Sequence, residues 1–169
     1  MPIPIMALLL MQSAPAPPPA CIRPEHRQFD FWVGRWEVYP TGKERVIAHS
    51  LIEKLYDGCV IRENWMPVKG TAGGSLNSYS PDSKQWRQVW ADSANGWATL
   101  EGGIENGAMV LSGEWKNING PGTRAFTRTT WSRNPDGSVR QLGEAQNADG
   151  KTWSTTFDFT YRPSPASNP

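Results

Sequence analysis

The chain is predicted to be all-β, an antiparallel up-and-down barrel of about 8–10 strands. Three observations carry this. Turn-forming Gly, Pro, Asn and Asp combinations recur at short intervals, among them "PTGK" at 40–43, "YDG" at 56–58, "SPDSK" at 80–84, "ENG" at 105–107, "NPDG" at 134–137 and "NADG" at 147–150. The runs between them have strand length, and many alternate apolar and polar residues. No helical period of useful length follows residue 35.

In chain order, the strand candidates are 35–40, 44–55, 58–66, 73–80, 84–91, 97–103, 107–115, 122–132, 138–146 and 152–162. Their connections are short, which favours sequential hairpins over Greek-key crossovers. A meander leaves two unpaired edges, and closure into a barrel removes them. A two-sheet sandwich would show the same alternation but needs longer links. The last run, "WSTTFDFTY", groups Trp153, Thr155, Phe157, Phe159 and Tyr161 on one face. On the ninth, Arg140, Leu142, Glu144 and Gln146 oppose Val139, Gln141, Gly143 and Ala145, and the alternation does not say which set points inward.

Ahead of the first strand stands "FDFWVGRWEVYP". Four of its first eight residues are aromatic, Phe29, Phe31, Trp32 and Trp36, with Gly34 between them. Burying such rings is worth about 1.5–3 kcal/mol each, a large share of a domain's net stability.

Residues 1–20, "MPIPIMALLLMQSAPAPPPA", read as an export signal or a disordered Pro-rich segment. "IMALLLM" is too short to span a membrane, and Ala14-x-Ala16 is a cleavage-like site. No basic residue precedes Arg23, so the signal is atypical or starts further upstream. The barrel domain is expected over 21–163 and a disordered tail over 164–169. Export implies a periplasmic or secreted protein and suits a Cys21–Cys59 disulfide, the alternative being two unrelated thiols. Loop closure assigns such a crosslink roughly 4 kcal/mol.

Charge and composition narrow the function. Net charge is +1 with 20% charged residues and no like-sign run, which argues against nucleic-acid binding. The two cysteines and two histidines have no ligand spacing, so neither a metal nor another cofactor is expected. No G-x-S-x-G nucleophile motif is present. No integral membrane segment is expected, and nothing identifies a protein partner.

"GRW" at 34–36 resembles the G-x-W that opens the first strand in lipocalins and other calycins. The resemblance implies that Trp36 closes one barrel end as the first inward residue, that Arg162, ending "FDFTYR", packs across it, and that residues 24–33 form a short N-terminal helix or turn plugging that end with Phe29, Phe31 and Trp32 as the stopper. The series "FDFWVGRWEV", "GCVIRENW", "SLNSYSPDSKQWRQVWAD" and "VRQLGEAQNADGKTWSTTFDFTYRP" is similar to a family of bacterial secreted proteins, grouped as a domain of unknown function with a lipocalin-like barrel. It implies a fold and no activity. Leu142-Gly143 departs from it, standing where relatives carry an aromatic before the Glu, which would enlarge the interior near Glu144 or have no effect.

Polar residues on inward faces mark the candidate binding site. Glu63 shares a face with Ile61 and Trp65, Asn77 with Tyr79, and Gln88 stands between Trp86 and Trp90. A buried carboxyl must be paired or neutralised. Glu63 is therefore read in one of three ways: ion-paired with Arg128 or Arg140, a polar anchor for a ligand, or an acid–base group. His49, on a face with Ile47, Leu51 and Glu53, is a solvated or satisfied histidine, or a base oriented by Glu53.

Three functions follow. The first is an exported module binding a small, partly apolar molecule among Glu63, Trp65, Asn77, Tyr79, Trp86, Gln88 and Trp90. The second is a proton-transfer enzyme of the isomerase, cyclase or hydrolase kind, using Glu63. The third is a protein–protein scaffold presenting the loops "VKGTAGG" and "NINGPG".

Overall fold

The computed structural model describes residues 21–164. Ten strands form one closed antiparallel barrel: β1 (Gly34–Pro40), β2 (Ala48–Leu55), β3 (Val60–Pro67), β4 (Gly73–Ser80), β5 (Gln85–Asp92), β6 (Trp97–Glu105), β7 (Ala108–Lys116), β8 (Arg124–Arg133), β9 (Val139–Gln146) and β10 (Trp153–Pro163). Each strand pairs with its neighbours in the chain. The ring closes where β1 meets β10, with Trp36 opposite Pro163 and Pro40 opposite Phe159. No edge is left open, which excludes the sandwich. The second strand starts later than the sequence predicts. Glu44 and Arg45 are exposed, and regular pairing to β1 starts only at Ala48.

Two 3-10 turns, Pro24–Arg27 and Asp30–Trp32, carry the chain across one end. Phe29 and Trp32 are wholly buried there. Phe29 stacks on Trp32 at 4.9 Å between centroids and meets Trp131 and Trp86 edge-on at 5.2 and 5.7 Å. Trp36 is buried beneath them, and its indole N–H donates to the Trp32 carbonyl at 2.8 Å. Phe31 lies at the margin, half-buried against Phe29. Gly34 makes the turn into β1 at φ +152°, a conformation that side chains rarely adopt. A Cys21–Cys59 disulfide clips the start of this segment to the residue before β3.

Arg162 does not pack across Trp36. Tyr161 points into the core, so the two-residue period turns Arg162 outward. Its guanidinium lies 4.4 Å from the centroid of the Tyr39 ring and grips Glu44 with two hydrogen bonds, of 2.6 and 2.9 Å.

The single-face reading of "WSTTFDFTY" also fails. The β9–β10 register shifts between Thr155 and Phe157. Such a bulge flips the parity. Phe157, Phe159 and Tyr161 face inward, while the Trp153 ring lies against the Arg128 guanidinium on the outer surface. Val139, Gln141 and Gly143 are the buried set on β9.

No helix among the described residues is long and apolar enough to cross a membrane. The segments 1–20 and 165–169 lie outside the described residues, so the signal and most of the tail do too. Ser164, the first residue assigned to that tail, still donates its amide to the Arg35 carbonyl.

Candidate functional site

The interior at the unplugged end is a cavity of about 160 Å³ lined by ten residues. Its floor is polar. Glu63 on β3, Gln88 on β5, Thr129 on β8, Gln141 on β9 and Tyr161 on β10 point into it. Each is buried, because each occupies the inward parity of its strand in the middle of the barrel wall.

Above the floor stands a collar of half-buried rings. Trp65 stacks on Phe159 at 5.7 Å, and Phe159 on Phe157 at 5.1 Å. Phe157 meets Trp115 edge-on at 6.3 Å, and Trp115 contacts Trp90 at 6.0 Å. Between Trp90 and Trp65 runs the start of β4, where Gly73 leaves the room Trp90 needs. A Cβ there would lie 2.7 Å from the Trp90 ring. Trp90 is held from behind by Asp92, which accepts its indole N–H at 2.9 Å and also the Ala94 and Gly96 amides.

Rim hydrogen bonds join three loops around this mouth. Ser93 donates its amide to the Ala72 carbonyl, and Asn117 its side-chain amide to the Asn95 carbonyl. "VKGTAGG" and "NINGPG" are thus both at the open end.

Glu63 is the chemical centre of the floor. Ser75 donates to its Oε2 at 3.1 Å and Ser50 to its Oε1 at 3.3 Å, with the Tyr161 hydroxyl 3.4 Å away. The donors form a directed chain. Gln88 donates to Asn77 at 2.7 Å, and Asn77 donates to Ser75 at 3.0 Å. That leaves the Ser75 proton free for the carboxyl. Burial pushes the Glu63 pKa up to about 7, against the opposing pull of the Ser75 and Ser50 hydrogen bonds. Burial and the neighbouring Glu63 together push the Tyr161 phenol well above its ordinary range, so it stays protonated and donates to Gln141 at 2.6 Å.

Glu63 has no ion-pair partner among the described residues, which removes one of its three sequence readings. Arg128 pairs with Glu144 at 2.8 Å and Arg140 with Asp158 at 2.6 Å, both on the outer face. On β9 Arg140 and Glu144 alternate with the inward Gln141 and Gly143, and on β8 Arg128 alternates with the inward Thr127 and Thr129, so neither arginine reaches the interior. Glu144 is therefore an outer residue. The space that Gly143 leaves is filled by the Phe157 ring, which a Cβ at that position would meet at 2.3 Å.

The residues named from the sequence separate into three groups. Glu63, Trp65, Gln88 and Trp90 line the cavity. Asn77 is fully buried inside the barrel beside Ile61, outside the cavity lining, and reaches Glu63 only through Ser75. Tyr79 and Trp86 belong to the plugged end and do not line the cavity. Tyr79 packs on His26, and Trp86 packs on Phe29 and donates to Gln28. Position explains this: both lie toward the far ends of β4 and β5, beyond the floor.

Sequence reasoning missed Trp115, Thr129, Gln141, Phe157, Phe159 and Tyr161 as cavity residues. The "FDFTY" alternation already groups three of them. His49 is exposed on β2, and Glu53 is taken by Arg62, so no His–Glu pair reaches the interior. No cluster of three His, Cys, Asp or Glu side chains suited to a metal occurs among the described residues.

No protein-family model matches the chain, and a search of curated proteins found no match.

Proposed function

We propose that the protein is an exported barrel that binds a small, partly apolar molecule at its open end. The carrying observation is the cavity itself: about 160 Å³ of space under five aromatic rings, with one buried carboxyl and two amide side chains at its base. Cavities of about 150 Å³ hold a molecule of benzene size, so the ligand has the bulk of one ring or a short chain. Apolar walls with a few convergent polar groups are the usual composition of a ligand site.

The Cys21–Cys59 disulfide supports a periplasmic or secreted location, because such bonds persist in oxidising compartments. The G-x-W opening and the ten-strand meander support membership of the lipocalin-like secreted family, while Arg162 departs from its pattern.

Titrating the full chain with single-ring probes such as benzyl alcohol tests the proposal. Tryptophan emission is expected to change and saturate, since Trp65, Trp90 and Trp115 line the cavity. The response is expected to disappear in Thr129→Leu, whose larger side chain occupies the floor. No response across a broad panel would overturn binding and move weight to a scaffold role for the rim loops.

A second reading is favoured by one observation, a carboxyl held near neutral pH inside a cavity. Such a group is poised for proton transfer. If the protein is an enzyme of that kind, Glu63→Gln binds its ligand but loses turnover. Unchanged turnover in that variant excludes it.

A further inference from the structure

We propose that the cavity selects an ammonium cation carried on a small apolar body, its charge seated on the Glu63 carboxylate and its body inside the aromatic collar. This rests on the binding reading above and adds the charge of the ligand.

The first support is the polarity of the hydrogen bonds. Gln88 donates to Asn77, Asn77 to Ser75, and Ser75 to Glu63. Ser50 adds a donor from β2. Hydroxyl donors thus reach the carboxyl from the strands on both sides of β3, while the Tyr161 hydroxyl 3.4 Å away gives its proton to Gln141. That arrangement stabilises its ionised form.

The second support is the missing counter-charge. The groups facing Glu63 are Ser50 on β2, Ser75 on β4, Gln88 on β5, Thr129 on β8, Gln141 on β9 and Tyr161 on β10. Tyr161 is the one titratable group among them, and it is neutral. An ionised carboxyl at 4% exposure without a cation is costly. A bound cation supplies what the protein withholds.

The third support is the wall chemistry. Ring faces are electron-rich and attract cations, most strongly when both are out of water. Trp65, Trp90, Trp115, Phe157 and Phe159 surround the approach to the carboxyl. An anionic ligand of the same size would be repelled by the carboxylate. A neutral one would leave the charge unmatched.

Calorimetric titration of the full chain with 2-phenylethylammonium, 2-phenylethanol and 3-phenylpropionate tests this. At pH 8 the ammonium is expected to bind at least tenfold more tightly than the alcohol, and the carboxylate least well. Protons compete for Glu63, so the ammonium is expected to bind about tenfold more weakly at pH 6 than at pH 8, with the alcohol changing far less. In Glu63→Gln the alcohol should still bind and the preference for the ammonium should vanish.

Equal affinities for ammonium and alcohol, or a preference that survives in Glu63→Gln, overturn the proposal while leaving the binding reading intact. If none of the three probes binds, the binding reading fails and the proposal with it. Should Glu63→Gln fail to fold, the pH dependence in the unsubstituted protein decides instead: an ammonium affinity that is flat from pH 6 to pH 8 overturns the proposal.

Discussion

The two ends of this barrel are built from the same residue type and do opposite things. At the plugged end, Phe29, Trp32, Trp86 and Trp131 are at or below 1% exposure and every ring is packed on another. At the open end, Trp65, Trp90, Trp115, Phe157 and Phe159 also touch one another but turn a side toward empty space. The difference lies in what is inserted. The chain's own residues 24–32 fill one end, and no described residue fills the other. Tryptophan content by itself therefore says little about binding. An aromatic ring contributes to stability where it has neighbours all round, and to recognition where one side is left open.

This contrast can be broken first at the plug. Trp32→Ala removes a fully buried ring and is expected to lower stability by about 3–5 kcal/mol in a denaturant melt. Trp65→Ala at the collar should cost less, about 2 kcal/mol, because its ring is only partly buried and lines the cavity, yet it should weaken binding of a single-ring probe. Equal losses at the two sites would mean that the collar is part of the core.

The floor comes next. Glu63 has a raised pKa of about 7, against an ordinary 4.5, so the folded state holds a proton that the unfolded state has released. Between those values stability falls as pH rises, by up to about 3 kcal/mol. Glu63→Gln keeps the shape without the charge. It should be the more stable protein at pH 8, and the gain should fade by pH 4. A flat difference across that range would show that Glu63 carries an ordinary pKa.

Smaller effects sharpen the contrast. Gly143→Ala pushes a methyl against the Phe157 ring, at an expected cost of about 1–3 kcal/mol. The displaced ring should also shrink the cavity, giving weaker probe binding than stability loss alone explains. Asp92→Ala removes the acceptor behind Trp90 and should cost about 1 kcal/mol. Its signature would be faster probe release beside a drop of only a few degrees in the melting midpoint.

Much of the architecture is legible in the residues. Turn chemistry is local, so Asn-Gly, Asp-Gly and Pro-x-Gly sequences mark most strand ends to within a few residues. Alternation is local too, which puts Glu63, Gln88 and their tryptophan neighbours on inward faces. The site is only partly legible. Parity says that a residue points inward but not at what height, and Tyr79 and Trp86 are misplaced for that reason. Arg128 and Arg140 stay open as partners for Glu63 until closure of the ring assigns their faces.

Composition, alternation and turn residues alone thus determined an all-β meander with a cluster of aromatics ahead of its first strand. Each depends on a few consecutive positions, and the backbone period converts them directly into strands and faces. Only the tertiary structure decided that Glu63 has hydroxyl donors from both neighbouring strands and no cation among the described residues, that a bulge near Thr156 sends Trp153 outward and Phe157 inward, and that one end stays hollow. These facts depend on where distant strands sit once the ring has closed. Side chains from β2, β3, β4 and β10 meet at one carboxyl, and no local pattern records that meeting.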